Sequence, residues 1–252
     1  VQDWTSVPYC GTPPQPTDLL LAWNLDPWLI LALALAAMGR FHPALAGDNA
    51  RRRCFDLALV VAALAFLSPL CALSSALFSV RIVHHVLLVS AIAPLLAAAF
   101  PAPSRPLAGA RLVLGVLAAS ATLWFWHAPA AYAAALSDDH LYWLMELTLV
   151  GSAVFVWREL QSPGALMRTA LGHVALIVSM GLLGALLTFA PAPLYALHIV
   201  AAPIYGLTPL EDQQLAGLVM WVPAIVPNLL AALLSLDRVV NAAEGGRLAS
   251  PA

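Results

Sequence analysis

The sequence predicts an all-α, polytopic integral membrane protein: a bundle of seven transmembrane helices with the N-terminus outside and the C-terminus inside. Three observations carry that expectation. Of 252 residues, 62% are hydrophobic and 10% charged, and the mean hydropathy is +0.87, more apolar surface than a water-soluble monomer can hide. Apolar runs close to the ~20 residues that a helix needs to cross about 30 Å of hydrocarbon recur along the chain. The arginines fall mainly in alternate connecting segments, as expected when basic residues are retained on the cytoplasmic side.

Residues 1–25 are rich in proline and polar side chains and read as an extracytoplasmic arm rather than a signal peptide. The membrane domain is expected over 26–240. Its first span opens on Asp26-Pro27, an N-cap followed by proline at the first helical position, and runs through WLILALALAAMGRF to His42-Pro43. The remaining spans are expected at Phe55 to Leu73, Arg81 to Phe100, Arg111 to His127, His140 to Trp157, Thr169 to Ala190 and Gln213 to Leu236, with Pro, Gly and Ser clusters at most boundaries. Residues 241–252 read as a cytoplasmic tail. Orientation follows from Arg40 and Arg51 to Arg53 after the first span, Arg105 and Arg111 after the third, Arg158 and Arg168 after the fifth, and Arg238 and Arg247 after the seventh. Arg81 is then the one basic residue expected on the outer face. The chain has no lysine, a net charge of -2 and no long basic run, so nucleic acid is excluded as a partner and the lipid bilayer is the expected surroundings.

On this topology the side chains able to do chemistry gather at the outer ends of the spans. His84 and His85 open the third span, His127 ends the fourth and His140 begins the fifth; Cys71 is near the outer end of the second, Cys10 is in the arm, and Met220 is two turns into the seventh. Imidazole, thiolate and thioether together suit copper, Cu(I) above all, whereas the shortage of clustered carboxylates argues against calcium or magnesium. Each residue also has a plainer reading. Histidines at helix ends meet headgroups or cap carbonyls, Cys71 is a small buried hydrophobe or the disulfide partner of Cys10, and Met220 is core packing. Adjacent helical residues point about 100° apart, so His84 and His85 are not expected to address one centre alike, and His84 is the doubtful one. Glu146, two turns inside the fifth span, needs a partner that the sequence does not name.

The order HHVLL, WFWHAPAAYAAAL, HLYWLMELTLVGSAVFVW, LLGALLTFAPAPLY and LEDQQLAGLVMWVPA resembles the CtaG-type cytochrome c oxidase assembly factors, over about Trp23 to Leu236. The resemblance implies a multi-span protein of the bacterial inner membrane that helps supply copper to a haem-copper oxidase subunit, with a periplasmic copper donor upstream and no enzymatic turnover. It places His85, His127, the Glu211-Asp212-Gln213 run and Met220 in the family's motifs. Two positions depart from it: Arg81, where many members have a histidine four residues before His85, and Glu146, where many have one in the fifth span. The expected mechanism is Cu(I) held at the outer ends of the spans by His85, His127 and His140, with Cys71 or Cys10 as an exchangeable soft ligand. A metal-free accessory subunit packed against an oxidase, and a haem-binding membrane protein using paired histidines, are the alternatives.

Overall fold

The computed structural model describes residues 7–101, 108–161 and 166–248, and these are all helices and connections. The described helices are α1 (Pro27–Met38), α2 (Asn49–Leu67), α3 (Pro69–Ala76), α4 (Phe78–Val86), α5 (Ala93–Ala99), α6 (Ala108–Trp126), α7 (Pro129–Ser137), α8 (Asp139–Leu160), α9 (Leu166–Phe189), α10 (Pro209–Trp221) and α11 (Val226–Leu248). A wider π-helical turn, Leu87–Ile92, joins α4 to α5.

The expected seven spans are corrected to five, or six at most, among the described residues. Phe78–Ala99, Gly109–Trp126, Asp139–Leu160, Leu166–Phe189 and Pro209–Asn241 are long and apolar enough to cross a membrane, and the pair α2–α3, bent by 50°, makes a sixth if counted as one broken span. What fails is the first. Helix α1 has 12 residues, a rise of about 18 Å against the ~30 Å required. It starts beside the far end of α2, where Asn24 N–H donates to the Leu67 carbonyl, and ends where Arg40 pairs with Asp56 at 3.2 Å. It therefore lies antiparallel along part of α2, with Leu29 its one buried side chain.

Proline chemistry explains both irregular spans. Pro69 cannot donate to the carbonyl one turn back, so α2 stops; Ser68 Oγ caps the restart by accepting from Leu70 N–H. Pro94 likewise cannot bond the Ser90 carbonyl, and widening to a π turn moves its ring away from that group. Trp157 Nε1 donates to the Val89 carbonyl of the widened turn at 3.0 Å. At the opposite end, Asp212 at the head of α10 caps α4 from outside: its carboxylate accepts from Phe78 N (2.7 Å), Ser79 N (3.1 Å) and Ser79 Oγ. Helices α9 and α10 cross closely because Gly184 and Gly217 meet, where a Cβ on Gly217 would stand 2.5 Å from the Gly184 carbonyl oxygen.

The arginines remain together at one end of the bundle. Arg40 pairs with Asp56, Arg111 with Glu159 at 2.8 Å, and Arg158 donates to the Pro101 carbonyl; Arg105 lies outside the described residues. Arg81 is corrected: it is not on an outer surface but fully buried. Helix α11 runs on to Leu248, into the segment expected as a tail.

Candidate metal centre

The buried polar groups of the core converge on one carboxylate. Glu146 Oε1, on α8, lies 3.5 Å from Arg81 NH1, 3.7 Å from His84 Nδ1 and 3.7 Å from His85 Nε2. All four side chains are at most 2% exposed. Helix α4 brings them together by its own geometry: Arg81, His84 and His85 are residues i, i+3 and i+4 of one helix, so their side chains share a face. Glu146 is carried to that face from α8.

His84 and His85, not expected to address one centre alike, both lie near one carboxylate oxygen. They reach the same oxygen through different ring atoms, Nδ1 of one and Nε2 of the other, so the angular offset between adjacent positions is absorbed by which nitrogen is presented. One ligand atom each from His84, His85 and Glu146 lies within 4.8 Å of the others. Phe66 packs edge-on against His84, with centroids 4.9 Å apart, and holds its ring.

His127 completes the group from the end of α6. Its ring meets His85 edge to face at 5.3 Å between centroids. Nδ1 lies 2.7 Å from the Leu123 carbonyl, an acceptor, so Nδ1 carries the hydrogen and the lone pair of Nε2 is left facing the core. This backbone anchoring of the second nitrogen is the arrangement that orients metal-binding imidazoles. Among the described residues, Ser75 Oγ and Arg158 Nε aside, every buried side-chain polar atom without a hydrogen-bond partner belongs to Arg81, His84, His85, His127 or Glu146. Burying such atoms uncompensated costs about 1–3 kcal/mol each, so this concentration marks a site that the rest of the fold holds in place.

Other expected ligands lie elsewhere. His140 is exposed in the first turn of α8 and does not join the cluster. Cys10 and Cys71 form a disulfide across 61 residues, so neither presents a thiolate in this state; the soft-ligand expectation is corrected, and the bond instead ties the arm to the bundle. Met220 is buried on α10. Helices α4 and α10 run parallel between the Asp212–Phe78 and Ser90–Ala224 contacts, which puts Met220 within about a turn of the depth of His85. Glu211 closes a capping box with Thr208. Gln213 accepts from Leu194 N–H and donates to the Leu187 carbonyl. The acidic-Gln motif thus clamps the ends of α4 and α9 and contributes no ligand.

Reading the sequence overlooked His198. It lies in the connection before α10, buried, with Nδ1 against the Ala76 carbonyl at 3.2 Å and Nε2 against the Tyr132 hydroxyl at 2.8 Å. The carbonyl only accepts, so Nδ1 donates and Tyr132 donates to Nε2. Burial pushes its pKa down to about 4, partly offset by the Ala76 bond and helped by nearby Arg81. The tyrosine of the W-H-x-P-x-x-Y run is the only trace in sequence of this contact.

The arm covers the cluster from the side away from the arginines. Cys10 Sγ is 3.5 Å from Tyr142 Oη, Tyr9 stacks on Tyr142 at 4.9 Å, and the Tyr142 ring lies 5.5 Å from the Arg81 guanidinium carbon. One turn beyond the cluster, toward the arginine end, a cavity of about 40 Å³ is lined by Ser90, Ser120, Ser152, Ser179 and Asn228 among apolar neighbours. It has room and hydrogen-bonding partners for a few waters.

A family model described as cytochrome c oxidase caa3 assembly factor (Caa3_CtaG) matches residues 31–242. No curated protein and no solved structure matches the chain.

Proposed function

The chain belongs to the cytochrome c oxidase caa3 assembly factor family, and from that premise we propose that it binds copper at the buried His84–His85–Glu146 cluster and passes it to a haem-copper oxidase. Assembly factors of this family are accessory proteins rather than enzymes, and this one is a multi-pass protein of the bacterial inner membrane. The observation that carries the copper reading is the set of ligand atoms gathered within 4.8 Å and buried. Ligands about 2.0–2.1 Å from a tetrahedral ion stand roughly 3.3 Å apart, so the 3.7 Å separations from Glu146 Oε1 and a widest separation of up to 4.8 Å must close for all three to hold one ion. His127, whose ring meets His85, is a further donor in this reading, and Met220, buried on α10 at about the same depth, is a candidate for another. With the two outer cysteines bonded to each other, the set is mainly nitrogen and oxygen, which suits Cu(II) as well as Cu(I).

Arg81 bears on retention. Its guanidinium shares the Glu146 oxygen with the two imidazoles, so an entering cation competes with it for the carboxylate and is held less tightly. That is a property of a carrier that hands its ion on. The half of the bundle that holds the cluster lies away from the other arginines and carries Arg81 paired with Glu146; it is the outer half when basic residues are kept in the cytoplasm, and it faces a periplasmic copper donor.

Anaerobic Cu(I) and aerobic Cu(II) competition on purified protein test this. The His85→Ala/His127→Ala and Glu146→Gln variants are expected to lose most binding. Wild-type affinity in either, or a wild-type protein that takes up no copper in either oxidation state, overturns the proposal. The buried Arg81–Glu146 pair favours a second reading, a metal-free accessory subunit in which the guanidinium alone neutralises the acid; stable copurification with an oxidase and no copper supports that one. Haem is disfavoured, because the edge-to-face contact of His85 with His127 leaves no slot for a macrocycle between them.

A further inference from the structure

Far from the histidine cluster, α6 and α9 diverge on the surface of the bundle and leave a groove of about 280 Å³. Its walls are Val113 and Leu117 of α6 and Leu171 and Ala175 of α9, with Leu112 and Gly172 on its floor. The wall residues Val113, Leu117 and Leu171 are more than half exposed. Both helices are long and apolar enough to cross a membrane, so this groove faces hydrocarbon, and an acyl chain is the matter that fills it.

One charged group stands at its mouth. Arg168, in the first turn of α9, lines the groove at the arginine-bearing end. Its guanidinium lies over Gly109: a Cβ there would fall 2.5 Å from NH1, so the missing side chain lets the cation rest against α6. Of the other arginines at this end, Arg111 pairs with Glu159, Arg40 with Asp56 and Arg51 with Asp48, while Arg52 and Arg158 donate to backbone carbonyls. Arg168 has no carboxylate within 4.0 Å among the described residues. An exposed guanidinium with no carboxylate partner among the described residues, at the end of an apolar groove, is complementary to one molecule with a negative head and a hydrocarbon tail.

We propose that this groove is a binding site for an anionic phospholipid, its phosphate on Arg168 and one acyl chain between α6 and α9. The site stands apart from the copper reading and does not depend on it. Basic pockets between membrane helices take anionic headgroups in this way, and one arginine near the surface strengthens binding about fivefold.

The test uses the full chain in detergent with phosphatidylglycerol or phosphatidylethanolamine added, and native mass spectrometry to count retained lipid. Wild-type protein is expected to retain one phosphatidylglycerol in preference to phosphatidylethanolamine. Arg168→Gln should cut that preference about fivefold. Ala175→Trp, which fills the channel without touching the charge, should reduce retention of both lipids. Arg238→Gln, an exposed arginine outside the groove, should leave retention unchanged. Thermal melting of each variant confirms that it is folded. An undiminished preference in Arg168→Gln, or an equal loss in Arg238→Gln, overturns the site, the latter by showing a diffuse attraction to basic residues.

Discussion

Removing one member of the Arg81–Glu146 pair should cost far more than removing both. The two groups are 3.5 Å apart and at most 1% exposed. At an effective dielectric constant of about 20, unit charges at that distance attract by about 5 kcal/mol. Loss of one partner leaves a buried, uncompensated charge and typically destabilises a protein by about 3–5 kcal/mol. Arg81→Met strands the Glu146 carboxylate between two imidazoles, and Glu146→Gln strands the guanidinium beneath Tyr142. The double variant strands neither, and similarly shaped replacements of buried pairs are often close to neutral. Unfolding of the three variants and wild type, followed by circular dichroism in one detergent with a chelator present, closes a double-mutant cycle. The expected coupling is at least about 2 kcal/mol, with the double variant more stable than either single one. Additive losses, with coupling below about 0.5 kcal/mol, would refute the reasoning and mean that the two charges are screened by water inside the bundle.

Three further outcomes follow from other parts of the structure. Reducing the Cys10–Cys71 bond, or replacing both residues by serine, removes a loop closure over 61 residues; the polymer estimate puts that at about 4 kcal/mol. A lower melting temperature and faster proteolysis near Tyr9 are expected, and identical melting with and without reductant contradicts it. Asp212→Asn replaces an acceptor facing three donors with a group that is itself half donor. It should destabilise by about 1–3 kcal/mol and weaken copper binding through the displaced start of α4, whereas unchanged melting denies Asp212 its capping role. His198 is held near pKa 4 against 6.5 when exposed. The unfolded chain therefore takes up a proton first as pH falls, and the stability that neutral His198 contributes is full above about pH 6.5 and lost progressively down to about 4, by roughly 3 kcal/mol. The melting difference between wild type and His198→Gln should shrink over that window; parallel curves exclude the role.

Much of the scaffold was readable because its causes are local. Asp26-Pro27 does start a helix, with Asp26 accepting from Trp28 N–H, and the long apolar runs from Arg81 onward do become spans, because a helix of that composition has nowhere but lipid to put its surface. The count failed at α1, where hydropathy is high but length falls short. The run from Pro27 to His42-Pro43 is already shorter than a span needs, and the 3-10 turn Gly39–Phe41 carrying Arg40 shortens the α-helix further.

The site was legible only in part. His85 and His127 stood out by motif, and the structure brings them to one cluster; the structure then adds Glu146 from α8 and leaves His140, on the same helix, exposed. Distance along α8 does not reveal which residue faces α4, because that depends on the rotation fixed by packing and by the Asp212 cap. Arg81 and Glu146, each a departure from the family pattern when read singly, are partners across two helices.

By itself the sequence determined that this chain lives in a membrane and which family it resembles, since each depends on composition or on short runs of neighbouring residues; the bend at Pro69 and the widened turn before Pro94 fall inside expected spans that run straight through them. Only the tertiary structure decided that one carboxylate gathers an arginine and two histidines, that the cysteines hold the arm rather than a metal, and that Arg168 stands over an open groove. Those facts depend on contacts between residues far apart in the chain, and the low dielectric of the core gives the charged ones their weight.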